Sequence, residues 1–148
     1  MFILKRGQAE FRIPGTLVDQ QATCAPLAWD GLIYRTIMLD EPVEAMRVHQ
    51  NVPLDSGPRL GSGMIGRWFA IDPIMARSEY IARHALPGSF THQAWVKLPR
   101  GATVNVGFCS ALFGLSGGAP QVEVLSPQPS SLQFQPIPGW WSDQVGHA

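Results

Sequence analysis

GGAPQVEVLSP, at residues 117–127, is the stretch around which the fold is organised. Its two glycines permit a tight turn, and the apolar residues that follow are typical of a short β-strand that Pro127 ends. Side chains alternate between the faces of a strand, so Gln121 and Glu123 share one face while Val122 and Val124 share the other. The sequence therefore predicts an amide and an exposed carboxylate side by side at a strand start.

The composition bounds the architecture and the class of partner. The 148 residues are 45% hydrophobic, which suits one domain, 1–148, with a single core, and residues 1–30 are predicted to form an irregular N-terminal arm. Charged residues make up 15%, against about 25% in ordinary domains, and the formal net charge is zero. The absence of a basic excess disfavours binding to duplex nucleic acid. The low charge predicts either poor solubility of the isolated protein or a surface that a partner covers in part.

Cysteine and histidine usage gives no sign of a metal. Cys24 and Cys109 lack metal-ligand spacing, and the four histidines form no ligand pair at helical spacing, so we predict no metal. The sequence also has no apolar run approaching the ~18 residues that span a membrane. We therefore expect no membrane association, and a protein that is cytoplasmic where it is made or is delivered into a target cell by a dedicated secretion system.

Prolines and glycines are spread along the chain, which predicts a loop-rich mixed or mostly β fold. The local patterns predict the following elements: a strand at 32–39 buried on both faces, a helix at 40–49, a long loop at 51–66, a strand at 68–71, a helix at 73–84, strands within 93–101 and 103–108, a mobile loop at 109–118, and a last strand at 132–137. Trp140 and Trp141 are expected to close the core.

Arg35 interrupts the apolar run at 32–39. Burying a guanidinium without an anionic partner is costly, so we expect Arg35 to face a carboxylate, a ligand phosphate or a cleft. A structural ion pair would satisfy the same requirement.

Three blocks of the sequence, in this order, resemble ADP-ribosyltransferases, and above all bacterial toxin-like enzymes. They are the pair Tyr34-Arg35, the strand and helix that carry Trp68-Phe69-Ala70 and Tyr80, and the Gln-x-Glu motif at Gln121 and Glu123 after its glycine turn. In the second block, Trp68-Phe69-Ala70 stands where better-studied members carry Ser-Thr-Ser. The hydroxyl that orients the catalytic glutamate in those members is therefore missing here.

The resemblance implies an α+β fold of two small, packed, mainly antiparallel sheets with an NAD cleft and a few short helices. It further implies a mono-ADP-ribosyltransferase, a toxin or effector that cleaves NAD at the nicotinamide–ribose bond and transfers ADP-ribose to a macromolecular target. Glu123 would then be catalytic and Gln121 would orient the acceptor. Arg35 would hold the diphosphate of NAD, which is a substrate. The other expected NAD-binding residues are Tyr34, Trp68, Phe69, Ala70 and Tyr80.

Other functions are compatible with the same residues. One is an NAD glycohydrolase toxin of the same fold. A second is a non-enzymatic binding protein with a degenerate site, and a third is a plain structural β-rich domain. Apolar Leu112, Phe113 and Leu115 on the loop at 109–118 favour a protein target if they are exposed, and form a satellite cluster if they are not. A neutralising partner protein is a further expectation.

Overall fold

Strands dominate the computed structural model, which describes residues 1–49, 52–54, 63–71, 77–84, 92–112 and 114–137. In chain order the strands are β1 Phe2–Arg6, β2 Ala9–Ile13, β3 Gly15–Leu17, β4 Trp29–Leu39, β5 Val43–His49, β6 Val52–Leu54, β7 Gly63–Ile65, β8 Trp68–Ala70, β9 His92–Leu98, β10 Thr103–Cys109, β11 Pro120–Ser126 and β12 Phe134–Pro136. Among these residues there is one α-helix, α1 at Arg77–Arg83, and there are short 3-10 turns at Pro26–Ala28 and Pro129–Ser131.

Eight of these strands form one antiparallel sheet in the order β12-β9-β5-β8-β11-β10-β4-β3. The strand β11, which contains the Gln-x-Glu motif, therefore lies inside the sheet between β8 and β10. β1 and β2 form a separate antiparallel hairpin, and β6 and β7 form a short parallel pair. No helix in the described part of the chain is long and apolar enough to span a membrane.

The main core lies on one face of the large sheet. Alternate residues of the central strands point into it, as the period of a β-strand requires, and they are joined by side chains from the β1–β2 hairpin. The buried members include Ile37, Phe69, Val104, Val106, Val122 and Val124 from the sheet and Phe11 and Ile13 from the hairpin. We call this side of the sheet the core face and the other side the polar face.

The expected α+β fold of two packed sheets with a cleft between them is wrong. The described chain is mostly β, with one large sheet. The clearest error is the helix predicted at 40–49, where Asp40 and Pro42 are residues typical of a helix start. These residues instead contain β5, which pairs with β9 over its whole length from Val43 to His49. Pairing with a distant strand has overridden a local helix signal.

Two further expectations near the N-terminus are corrected. Residues 1–30 are not an irregular arm, because they contain the β1–β2 hairpin and the edge strand β3. The run at 32–39 is not buried on both faces, since Leu32 is 63% exposed and Met38 is 45% exposed. This part of β4 lies near the edge of the sheet, next to the short strand β3.

The remaining strand predictions are confirmed, with β8, β9, β10, β11 and β12 at the expected places. The helix predicted at 73–84 is present as α1 from Arg77, and the predicted residues before it lie outside the described ranges. So do most of the loop predicted at 51–66 and the pair Trp140-Trp141.

Candidate functional site

Glu123 lies in the middle of β11 on the polar face and has no exposed surface. Its Oε1 accepts a hydrogen bond of 2.9 Å from Asn105 Nδ2, and its Oε2 accepts one of 3.1 Å from the backbone N–H of Cys24. The expectation of an exposed carboxylate at a strand start is therefore wrong. The strand begins at Pro120 and is flanked on both sides, and a segment far away in the sequence covers the carboxylate.

Asn105 belongs to a line of hydrogen bonds that crosses three strands. The strand register places Asn105 opposite Glu123 on one side and opposite Thr36 on the other. Thr36 Oγ1 donates to Asn105 Oδ1 at 2.6 Å and accepts from the N–H of Gln21 at 2.9 Å. Thr36, Asn105 and Glu123 are all fully buried. Buried polar groups are costly unless they are hydrogen-bonded, and this line supplies the partners.

Residues 18–28, which we call the strap, run over the polar face. At one end the N–H of Val18 donates to Thr36 O at 3.0 Å. In the middle, the backbone N–H of Cys24 donates to Oε2 of Glu123. At the other end Ala28 O accepts from Gln121 Nε2 at 2.9 Å and from the N–H of Ser110. The strap is thus fixed by polar contacts to β4, to β11 and to Ser110, which follows β10, and it covers the buried Glu123.

Three aromatic rings lie beside the strap. Trp29 is 1% exposed and stacks on Tyr34 with ring centroids 5.6 Å apart, while its centroid lies 5.4 Å from that of Trp68. Gly107 makes room for this indole, because a Cβ at that position would lie 2.8 Å from Trp29 Cζ3 and 2.9 Å from Ile33 O. The Trp29 Nε1–H donates to Thr23 Oγ1 at 2.9 Å, which ties the aromatic cluster to the strap.

Two ionisable side chains, Cys24 and Arg67, interact electrostatically in this region. Burial, a hydrogen bond to Glu123 and the negative charge of Glu123 raise the pKa of Cys24 to about 11, whereas Arg67 acts in the opposite direction. The thiol is therefore protonated at neutral pH, and the exposed Arg67 is close enough to act on it. In the described residues, no group of three or more His, Cys, Asp or Glu side chains is arranged to hold a metal ion.

The glycine turn before β11 is anchored on the end of α1. The N–H of Gly117 donates to Ala82 O at 3.0 Å, and that of Ala119 donates to Arg83 O at 3.1 Å. Gly117 has φ of +66°, and a side chain there would collide with Ser110, so glycine is required. These bonds argue against the mobile loop that was expected. Leu112 and Leu115 are half-buried, and Phe113 lies outside the described residues.

Six of the eight predicted site residues lie on the polar side of the sheet. Trp68 is opposite Glu123, Ala70 is opposite Gln121, and Gly107 lies between Gln121 and Tyr34. Tyr80 reaches the same side from α1 and packs against Ala70.

Phe69 and Arg35 are not brought to the carboxylate. Phe69 is 3% exposed within the core on the other face. Arg35 lies opposite Val106, whose side chain is in that core, and the arginine is exposed. Its Nη1 donates to Tyr34 O at 2.9 Å. Water solvates the guanidinium, so the anionic partner or cleft expected for a buried arginine is not needed.

Sequence reasoning missed Asn105, Thr36, Trp29 and Arg67. A signal existed for Asn105, because an asparagine between two valines in the middle of a strand is unusual for that environment. Arg67 directly precedes the Trp68-Phe69-Ala70 block. Nothing local marked Thr36 or Trp29, since their roles depend on strand register and on the path of the strap.

A scan against protein-family models finds no match, and neither does a search of curated proteins. Among solved structures, a chain of the structure of Tne2 in complex with Tni2 superimposes on this fold with a TM-score of 0.58. The alignment covers 76% of this chain and 95% of the other, at 16% sequence identity. At that identity the likeness concerns the fold, and the matched structure holds two proteins.

Proposed function

We propose that the protein cleaves the bond between nicotinamide and ribose in NAD and passes the ribosyl group to water. The observation that carries this proposal is Glu123, a fully buried carboxylate with each oxygen on a separate hydrogen-bond donor, beside a cluster of aromatic rings. The order of the three sequence blocks, which resembles enzymes that act on NAD, supports the choice of substrate.

The reaction needs negative charge where positive charge develops. As the C–N bond breaks, nicotinamide leaves with the bonding electron pair and the ribose becomes oxocarbenium-like. A carboxylate held away from water stabilises that cation more strongly than an exposed one. Water then forms the new C–O bond and loses its proton to solvent, which gives ADP-ribose.

Substrate access requires part of the strap to move. The N–H of Cys24 occupies Oε2 of Glu123 and shields it from solvent. A ribose hydroxyl that approaches the carboxylate replaces that N–H as the donor to Oε2. The contacts of the strap to Thr36 and Gln121 are hydrogen bonds that a bound substrate can compensate.

Arg67 is better placed than Arg35 to receive the diphosphate. Arg67 acts electrostatically on Cys24, which contacts Glu123, whereas Arg35 lies on the other face of the sheet. A guanidinium matches phosphate oxygens with several N–H donors. Trp68 and Tyr34, half-buried around Trp29, offer ring faces to the nicotinamide.

Hydrolysis is favoured over transfer by the position of Gln121. Its Nε2 donates to Ala28 O of the strap, so the amide is occupied and does not face an acceptor. Transfer of ADP-ribose to a macromolecule is the second candidate, because Gln121 shares the polar face with Glu123 as the transferase resemblance implies. Movement of the strap end at Ala28 would free the amide for that role.

A protein partner is also part of the proposal. The similar solved chain occurs in a complex of two proteins, Tne2 and Tni2. By analogy, we propose that this chain is a toxin or effector and that a neutralising protein binds it.

Incubation with NAD separates these functions. The protein is mixed with NAD labelled in the adenylate, with and without cell lysate, and the products are separated by chromatography. We expect free nicotinamide and free ADP-ribose in equal amounts without lysate. Label attached to lysate protein would establish transfer instead. No nicotinamide under either condition would refute both enzymatic functions.

A further inference from the structure

We propose that Asn105 is a positioning residue that holds Oε1 of Glu123 and so leaves Oε2 as the oxygen that meets the substrate. This inference rests on the proposed function and assigns different roles to the two oxygens of the carboxylate.

The direction of every hydrogen bond in the line is fixed by its two ends. The backbone N–H of Gln21 can only donate, so Thr36 Oγ1 accepts there and gives its own proton to Asn105 Oδ1. With its oxygen engaged, the amide turns Nδ2 toward Glu123 Oε1. A carboxylate can only accept, which agrees with this order. The carboxylate therefore determines which end of the Asn105 amide faces it, and Thr36 holds the amide by donating to the oxygen at its other end.

One oxygen of Glu123 is bound by a residue inside the sheet, and the other is bound by a residue of the strap. Asn105, which binds Oε1, lies in β10, paired on both sides by β11 and β4. Cys24, which binds Oε2, lies in the strap outside any strand or helix. Displacement of the strap thus releases Oε2 while Oε1 stays bound. A carboxylate with one oxygen held is preorganised for the other to act.

A pair of substitutions at Thr36 tests this role with little change of shape. Thr36→Val removes the hydroxyl, so Asn105 Oδ1 loses its donor and the amide is held only by its hydrogen bond to Glu123. We expect kcat to fall roughly tenfold, because a tenfold change in rate corresponds to the loss of about one hydrogen bond. KM should change little. Thr36→Ser keeps the hydroxyl and should retain the native rate.

A second measurement is independent of NAD. The side-chain amide protons of Asn105, followed by nitrogen-edited NMR, should exchange slowly with solvent in the native protein and in Thr36→Ser, and faster in Thr36→Val. If the native protein releases no nicotinamide but the exchange rates follow this order, the proposed reaction fails and the holding of Glu123 by Asn105 stands. If Thr36→Val matches the native protein in kcat and in the exchange rate of the Asn105 amide, the positioning role is overturned.

Discussion

The two faces of the large sheet are built from the same strands, but different interactions hold the side chains of each face in place. The core face is a continuous set of apolar side chains, such as Val104, Val106 and Val122. The polar face is held by hydrogen bonds between residues far apart in the chain, such as Cys24 to Glu123 and Gln121 to Ala28. The core face holds the larger apolar cluster, and the polar face carries the groups that are available for chemistry beneath a covering segment.

Neighbouring residues of β8 give the largest expected difference between the faces. Phe69 is in the core and stacks on Phe134, so Phe69→Ala should lower the free energy of unfolding by about 3–5 kcal/mol. Trp68 is half-buried on the polar face. Compared with Phe69→Ala, Trp68→Ala should lower the free energy of unfolding less and weaken NAD binding more. Urea unfolding and NAD titration of both variants measure this. Equal losses of stability at the two positions would break the distinction.

Two exposed arginines on opposite faces provide a matched pair for ligand binding. Arg67→Ala should weaken NAD binding about tenfold, the loss of one or two charge-assisted hydrogen bonds to phosphate. Arg35→Ala removes the same charge from the other face and should leave the affinity at the native value. Calorimetric titration of NAD into the two variants decides this. If Arg35→Ala is the weaker binder, the diphosphate lies on the core side and the site is misplaced.

The smallest expected effect is on the titration of Cys24, whose pKa responds to the negative charge of Glu123. Its pKa in the folded protein, about 11, lies above the ordinary value of 9.0. The resulting contribution to stability is present below about pH 9 and is lost as the pH rises toward about 11. It is small, because Cys24 is exposed and solvent screens its interaction with Glu123.

Alkylation measures this more directly than unfolding, because only the thiolate reacts. The rate at Cys24, located by mass spectrometry, should rise with a midpoint near pH 11. Glu123→Gln should move that midpoint to lower pH, since it removes the negative charge. An unchanged midpoint would show that the carboxylate does not act on the thiol.

The sequence predicted the parts of the fold that depend on neighbours in the chain. The turn at Gly117, the strand with Gln121 and Glu123, and its end at Pro127 all follow from local backbone preferences. The strand β5 was missed because its conformation depends on β9, a distant segment. The overall fold class was missed for the same reason, since whether strands form one sheet or two is decided by pairing.

The candidate site was predicted in part. Alternation along β11 correctly put Glu123 and Gln121 on one face. The burial of Glu123 depends on the strap, and the contact of Asn105 with it depends on the register between β10 and β11. Neither is encoded within a short window. Arg35 shows the converse error: an apolar run predicts burial, but the strand lies near the edge of the sheet and Arg35 is exposed.

Nicotinamide release by the native protein and by Glu123→Gln is the most direct test of the account. The glutamine keeps the shape of the side chain and can still accept from Asn105, but it lacks the charge that stabilises the ribosyl cation. We predict that the native protein releases nicotinamide and that the variant does so at least about a hundredfold more slowly, with an unchanged fold by circular dichroism. A variant that releases nicotinamide at the native rate would contradict the assignment of Glu123 as the catalytic carboxylate.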